Sequence, residues 1–243
     1  MSRGNARQQI FLDAEDYAHF LVRLSATTAR LGVRCRAHCL MNNHVHLLLE
    51  PYQFPLSRMM QQLNSSYSQW FNRRHQRIGH VLQGRFKALL IDCNDYFRRV
   101  LRYIVLNPVR AGVVVHPADC PWSSYRATAG LGAPPPFLAL DSVWKAFDTE
   151  CPRAQQLYVA YIAAGSSEPA DRPTGPMACG SEAFLERVGV ALEPHRDARD
   201  VVYAERFAAV RRSAGCSQTL TMPIRSTSGC GMRSSLTATR CAK

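Results

Sequence analysis

Two short segments of this chain carry side chains whose types and spacing could perform phosphoryl chemistry. His44 and His46 lie two residues apart in an apolar run, so on a β-strand both imidazoles would point to the same face. Tyr103 and Asn107 lie four residues apart, so on a helix they would be stacked one turn apart. Two imidazoles and an amide oxygen can bind a divalent cation, and a tyrosine beside that cation could act as a nucleophile. If the fold brings the segments together, they predict a tyrosine-dependent enzyme acting on phosphodiesters.

Each segment alone also fits a structural role. A His-x-His pair on a strand more often packs or faces solvent than binds a metal. Most helical tyrosines are packing residues with a hydroxyl at the rim of the core. Asn107 is followed by Pro108, which by itself indicates the end of a helix. The chemical interpretation therefore depends on the two segments meeting in the fold.

A β-hairpin is predicted around the two histidines. Residues 33–41 and 44–50 are strand-like runs separated by Asn42-Asn43, and asparagine tolerates the left-handed backbone angles of tight turns. Such a hairpin would place Cys39 opposite His46. A competing zinc site follows from this pairing, because Cys35 would share that face with Cys39, His44 and His46. Cys35 and Cys39 would be about 13 Å apart at the rise of a strand, so zinc bound by all four ligands is not expected.

Two helices are predicted on either side of this hairpin. Asp13 fits the N-cap of a helix that ends at Gly32. A second helix is predicted after Pro55. Its apolar stripe consists of Leu56, Met59, Met60, Leu63, Tyr67, Trp70 and Phe71.

A further strand and a third helix are predicted next. Residues 81–92 form a strand-like run, and Asn94 or Asp95 would cap a helix that extends to about Leu106. Basic side chains on these elements and at the end of the second helix are candidate DNA contacts, with solvated surface charges as the alternative. They are Arg73, Arg74, Arg85, Lys87 and Arg99.

The second half of the chain has a different character. The Gly- and Pro-rich residues 130–136 are predicted to be a domain boundary after a first domain of residues 1–130. A helical extension is predicted over residues 137–205, with helices at about 141–164 and 181–192. Residues 206–243 are basic, rich in small polar residues and without periodicity, which predicts a disordered tail.

The charge of the chain favours a polyanionic partner. The formal net charge is +12, and residues 1–130 carry 17 Lys+Arg against 7 Asp+Glu, so +10 of it lies there. Only three of the 30 basic residues are lysines, and guanidinium groups match phosphate bidentately. A solvated basic surface is the simpler alternative.

Several classes of protein are not expected from the sequence. The longest apolar runs fall far short of the roughly 20 residues that span a bilayer. The N-terminus lacks the apolar stretch of a signal peptide, and nine cysteines without close pairing do not indicate a disulfide framework. A cytoplasmic protein with reduced thiols and no membrane partner is predicted.

Five segments then suggest a family by their order and spacing. They are residues 34–51, which include Asn-Asn-His-Val-His, residues 69–75, 83–87 and 121–125, and residues 102–114, which include Arg-Tyr-Ile-Val-Leu-Asn-Pro. Together they resemble the REP-associated tyrosine transposases, which are single-tyrosine HUH transposases of single-stranded DNA. The resemblance covers roughly residues 1–130.

The resemblance implies an α+β fold, an antiparallel sheet with packed helices similar to an RNA-recognition-motif core. It implies that His44 and His46 bind Mg²⁺ or Mn²⁺, that Asn107 is the third ligand, and that Tyr103 is the nucleophile. The implied substrate is single-stranded DNA with imperfect hairpins, nicked and rejoined through a 5′-phosphotyrosine, by a monomer or homodimer. Ionising a free tyrosine at pH 7 costs roughly 4 kcal/mol, and a bound cation could offset much of this by polarising the phosphate.

The chain departs from the family in two places. Family members usually carry an extra strand before Ser2, so the sheet is predicted to lack its first strand and to expose an edge. Asn42 stands where proline is common in the family. These departures leave a second hypothesis, a catalytically inactive hairpin-DNA-binding protein derived from such a transposase. A zinc-structured binding domain that uses Cys39 with the histidines is a third.

Overall fold

Three antiparallel strands form the centre of the fold: β1 (Ser2–Arg3), β2 (Val33–Met41) and β3 (His44–Pro51), in the spatial order β1-β3-β2. The computed structural model describes residues 1–92, 95–166 and 178–192 of the chain. The predicted hairpin is confirmed, since β2 and β3 pair along their lengths and turn at residues 42–43.

The register of this hairpin determines which side chains lie on the same face of the sheet as the two histidines. Cys39 pairs with His46, as predicted. A register shift between Cys35 and Ala37 then pairs Cys35 with Leu49. Because side chains alternate between faces along a strand, Leu49 points away from the face of His46. The prediction that Cys35 shares the histidine face is therefore wrong.

Helices pack against both strands of the hairpin. Helices α1 (Ala14–Leu31) and α2 (Leu56–Arg74) pack against each other, and α1 also contacts β2. Helix α3 (Asp95–Arg110) contacts both β2 and β3. The mixed α/β architecture with an antiparallel sheet and packed helices is therefore confirmed.

The ends of α1 form as the sequence predicts. The Asp13 side chain accepts hydrogen bonds from the backbone N–H groups of Glu15 (3.0 Å) and Asp16 (3.2 Å). Gly32 ends the helix in the left-handed region at φ 57°, where glycine is favoured. The second helix begins after Pro55, and its predicted stripe includes the buried residues Met59, Met60, Leu63, Tyr67 and Phe71.

A buried carboxylate ties the start of α1 to the end of α2. Asp16 has a fully buried side chain that accepts from Leu12 N–H (2.7 Å), Arg74 Nη1 (2.6 Å) and His75 Nε2 (2.8 Å). Arg74 also binds Asp13 and Glu15. The cluster fixes the relative position of the two helices because the start of α1 and the end of α2 both contribute charged side chains.

Replacing Asp16 with asparagine is expected to destabilise the protein by about 2–3 kcal/mol, because Arg74 and His75 would lose a buried charged partner. Glu15→Gln is the matched control in the same helical turn. Its side chain is 67% exposed, so a loss below about 1 kcal/mol is expected. Urea denaturation measures both values, and equal effects for the two variants would contradict a structural role for the buried cluster.

Two predicted elements near α3 differ from the structure. Only Leu90–Ile91 of the predicted strand 81–92 is a strand, β4, because Gly84 adopts φ 58° and interrupts the extended run. Leu82 instead forms an isolated antiparallel bridge with Gly4. Helix α3 continues beyond Leu106 to Arg110 and contains Pro108. Residue 94, one of the two predicted caps, lies outside the described residues.

The chain after residue 120 contributes short helices and one further strand. They are α4 (Tyr125–Thr128), α5 (Asp141–Lys145), α6 (Cys151–Ala164), β5 (Ala178–Cys179) and α7 (Glu182–Leu192). The helix predicted over 141–164 is thus divided into α5 and α6, while that predicted at 181–192 is confirmed. No helix in the described ranges has the length and apolar character needed to cross a bilayer. The predicted tail, 206–243, lies outside those ranges.

Both strands of the hairpin have further partners on their other side. Strand β1 pairs with β3 at Val45 and His44. On the other side, Ser123 and Leu138 form isolated bridges with Cys39 and Cys35 of β2. The chain therefore returns to the sheet after the Gly- and Pro-rich stretch at 130–136, and the division into a first domain and an extension stays a prediction.

Candidate active site

The two histidines of β3 lie side by side. Their ring centroids are 4.9 Å apart with the planes nearly perpendicular, as expected for alternate residues on one strand face. His46 is buried, whereas His44 is only partly buried at the turn end of the strand. The pair therefore lies at the rim of the core, with His44 nearer to solvent.

A neighbouring amide orients His44. The Nδ1 atom of His44 lies 2.6 Å from Oδ1 of Asn43, and an amide oxygen only accepts hydrogen bonds. In a neutral His44 ring this contact places the proton on Nδ1 and the lone pair on Nε2, which is the tautomer suited to bind a cation through Nε2. The sequence pattern predicts Asn43 only as a turn residue, and its position directly before His44 is the one local signal for this second role.

The tyrosine of α3 meets the histidine of β3. The Tyr103 ring lies edge-on to the His46 ring, with centroids 5.4 Å apart and an interplanar angle of 88°. Tyr103 is half-buried and packs against the core cluster, so its ring is held while part of it stays accessible. The structure thus brings together the two segments that the sequence singled out.

Asn107 follows Tyr103 by one turn of an uninterrupted helix. Its Nδ2 donates to the backbone carbonyl of Tyr103 at 3.2 Å, which orients the side-chain amide. Oδ1 is the atom of this amide that could act as a cation ligand. Asn107 is not a helix terminus, because α3 continues to Arg110.

The donors present fit a weakly held divalent cation better than structural zinc. No group of three or more His, Cys, Asp or Glu side chains within the described ranges could hold a metal. The candidate donor set is two imidazoles and one amide oxygen, which would leave coordination positions for water and phosphate oxygens. The four-ligand zinc alternative is wrong, since Cys35 belongs to the opposite face of the sheet.

The five candidate DNA contacts occupy different environments. Arg73, Arg85 and Lys87 are exposed, and Arg99 lies over the ring of Tyr96 at 5.4 Å. Arg74 differs because it binds three carboxylates, and hydrogen bonds to Asp13 and Asp16 raise the pKa of its guanidinium. Direct contact of these five side chains with DNA stays a prediction.

An arginine-lined depression lies on the α3 surface one turn before Tyr103. Its volume is about 320 Å³, and Arg102 stacks on the ring of Tyr161 of α6 at 4.7 Å. Arg98 and Arg102 were not among the sequence-predicted sites, although their i, i+4 spacing places them on one helix face. The depression is lined by Asp95, Arg98, Arg99, Arg102 and Tyr161.

The N-terminal part of the chain is similar to a known protein family. Residues 1–107 match the family model of IS200-like transposases. A solved structure of a REP-associated tyrosine transposase bound to a REP hairpin is similar, with 19% identity, a TM-score of 0.46, and coverage of 57% of this chain and 81% of that chain. Comparison with curated proteins finds no match.

Proposed function

We propose that this chain is a transposase that nicks and rejoins single-stranded DNA at hairpin-containing sites, through a covalent 5′-phosphotyrosine on Tyr103. The observation that carries the proposal is the edge-on contact between Tyr103 and His46. Two segments far apart in sequence supply a hydroxyl nucleophile and two imidazoles to one place. This combination is suited to phosphodiester transfer, and the match of residues 1–107 to the family model of IS200-like transposases supports the same activity.

His44, His46 and Asn107 would hold Mg²⁺ or Mn²⁺. When bound, the cation would polarise the scissile phosphate and stabilise negative charge on its oxygens. The hydrogen bond from His44 Nδ1 to Asn43 supports this role by fixing the ring. Packing of His46 between the rings of His44 and Tyr103 restricts its rotation.

Tyr103 performs the transfer. Its phenolic oxygen attacks phosphorus in line, the bond from phosphorus to the 3′-oxygen breaks, the phenol loses its proton and the departing 3′-oxygen gains one. The covalent link conserves the energy of the phosphodiester, so a second 3′-hydroxyl can reverse the step without a nucleotide cofactor. Since the ring is held in the core, the hydroxyl is positioned before the substrate arrives.

Basic side chains supply the affinity for DNA. The exposed Arg73, Arg85 and Lys87 would contact backbone phosphates, and their contribution would fall with increasing salt. Arg99, one turn before Tyr103, would contact a phosphate near the scissile bond. Arg74 would contribute less to binding, because its guanidinium already binds three carboxylates.

Two copies of one hairpin-containing single strand, labelled at opposite ends, test the proposal. With Mn²⁺, the 3′-labelled strand is expected to migrate with denatured protein, whereas the 5′-labelled strand should release a fragment with an extendable 3′-hydroxyl. EDTA and a fully duplex version of the sequence are controls that should give neither product. Hairpin binding by folded protein without cleavage would contradict the proposal and support the inactive binding protein.

A further inference from the structure

The arginine-lined depression beside Tyr103 is built by two helices, α3 and α6. Arg98 and Arg102 share one face of α3, and Arg99 shares the neighbouring face with Tyr103, because residues four apart are stacked one turn apart. The depression therefore extends from the stripe of the candidate nucleophile round α3 towards α6, which contributes Tyr161 to the lining. Arg99 precedes Tyr103 by about 6 Å along the helix axis. A strand that reaches the tyrosine hydroxyl would thus pass close to the depression.

Arg102 packs against two parts of α6. Its guanidinium lies over the ring of Tyr161 at 4.7 Å. At the end of the same helix, a Cβ atom on Gly165 would lie 2.3 Å from Cδ and 2.7 Å from Nε of Arg102. Gly165 has φ −86° and ψ 0°, angles that other residues also adopt. Glycine therefore serves at this position to make room for the Arg102 side chain.

The position of α6 on α3 is itself fixed by packing. The two helices share a second buried apolar cluster, to which they contribute Val105, Leu106, Tyr158 and Ile162. Beyond this cluster, Nη2 of Arg110 on α3 donates to the Gly165 carbonyl at 3.3 Å. Because both contacts hold α6 in place, the surface against which Arg102 packs is already formed before a ligand arrives.

The charge of the depression suits an anion. Three guanidinium groups line it together with one carboxylate, that of Asp95, which pairs with Arg98. Stacking on Tyr161 uses the face of the Arg102 guanidinium, whereas a phosphate binds the N–H groups along its edge, so the two interactions are compatible. A volume of about 320 Å³ accommodates a phosphate group, and the lining is charged apart from Tyr161.

We propose that this depression is a subsite for one backbone phosphate of the single strand that reaches Tyr103, and that α6 positions Arg102 to bind it. The proposal rests on the proposed function for its DNA substrate, but it does not require cleavage. Arg98 and Arg102 bind the phosphate oxygens, Tyr161 supports the guanidinium, and Gly165 is a positioning residue. A helix beyond residues 1–107 thereby contributes to DNA binding.

Fluorescence anisotropy of a labelled hairpin-containing single strand in EDTA measures binding without cleavage. Arg102→Gln is expected to weaken binding about 5-fold. It should also reduce the slope of log Kd against log salt by about 0.7, the value for one phosphate contact on a single strand. Arg153→Gln is the control for loss of one guanidinium. The Arg153 side chain is 72% exposed on α6, and its replacement should leave the affinity within about two-fold of the wild type.

Gly165→Ala tests the positioning role. The added methyl group would displace Arg102 while the backbone conformation is kept, so the affinity should fall about as much as in Arg102→Gln. The double variant should bind no more weakly than Arg102→Gln alone, because the alanine acts through Arg102. Gly132→Ala is the control, since a Cβ atom there would meet nothing within 4 Å. Circular dichroism checks that the variants are folded.

Replacement of one phosphate at a time by a neutral methylphosphonate locates the contact on the strand. One position should weaken binding by the wild type but not by Arg102→Gln. The absence of such a position would overturn the proposal, as would equal losses in Arg102→Gln and Arg153→Gln or additive losses in the double variant. Failure of nicking with the expected binding results would contradict the proposed function and leave the subsite supported.

Discussion

Replacing Tyr103 with phenylalanine is expected to abolish covalent attachment of DNA and to lower the nicking rate by at least about 10³-fold. Phenylalanine keeps the ring that packs edge-on against His46 and removes only the attacking oxygen. The fold and the affinity for hairpin DNA should therefore be retained. Single-turnover cleavage of an end-labelled hairpin measures the rate, and a gel-shift titration measures the affinity.

Tyr96→Phe is the matched control for this variant. Tyr96 lies two turns earlier on α3, and its ring is 5.4 Å from the guanidinium of Arg99. The same loss of one oxygen on the same helix should leave the nicking rate within about two-fold of the wild type. Equal losses in both variants would show that the effect arises from the helix and not from a nucleophile at Tyr103.

Replacing His46 with glutamine is expected to lower the nicking rate by about 100-fold or more, because one of three proposed cation ligands is lost. A higher Mn²⁺ concentration should restore part of the rate, since the remaining ligands still bind the cation weakly. A merely structural role for His46 would not give this dependence on Mn²⁺. Rates are compared across a Mn²⁺ titration at constant hairpin concentration.

His38→Gln is the control for loss of a buried imidazole. His38 lies on β2 opposite Leu47, is as buried as His46, and packs 5.4 Å from the ring of Phe137. Burial lowers the pKa of His38 to about 4, so this imidazole stays neutral in the fold. Its replacement should lower stability without changing the Mn²⁺ dependence of nicking. If the His46 variant showed the same Mn²⁺ dependence of nicking as the wild type, the assignment of His46 as a cation ligand would be contradicted.

Local signals in the sequence were sufficient to predict the hairpin that carries the histidines and the ends of helix α1. Asp13 and Gly32 mark the ends of α1 because a carboxylate cap and a left-handed glycine act within one helical turn. Asn42-Asn43 marks the hairpin because the turn requires only two residues with permissive backbone angles. The pairing of Cys39 with His46 then follows from the loop length.

Features that depend on tertiary packing were not predictable in this way. The shift between Cys35 and Ala37 carries no glycine or proline signal, yet it moves Cys35 to the other face. Gly84 interrupts a run that is otherwise typical of a strand. Leu138 returns to β2 after a Gly- and Pro-rich stretch whose composition indicates a domain boundary.

The candidate site was predictable only in part for the same reason. Periodicity places His44 beside His46 and Asn107 above Tyr103, since each pair lies within one element. No local pattern specifies that α3 packs across β3, so the contact between Tyr103 and His46 could be anticipated only from family resemblance.

Peptide mapping of the covalent DNA–protein complex tests the central claim most directly. Protein incubated with Mn²⁺ and hairpin-containing single-stranded DNA is digested with protease and nuclease, and the modified peptide is sequenced by mass spectrometry. The expected result is a nucleotide joined through its 5′-phosphate to Tyr103. A nucleotide on another residue, or cleavage that leaves no nucleotide on the protein, would contradict it.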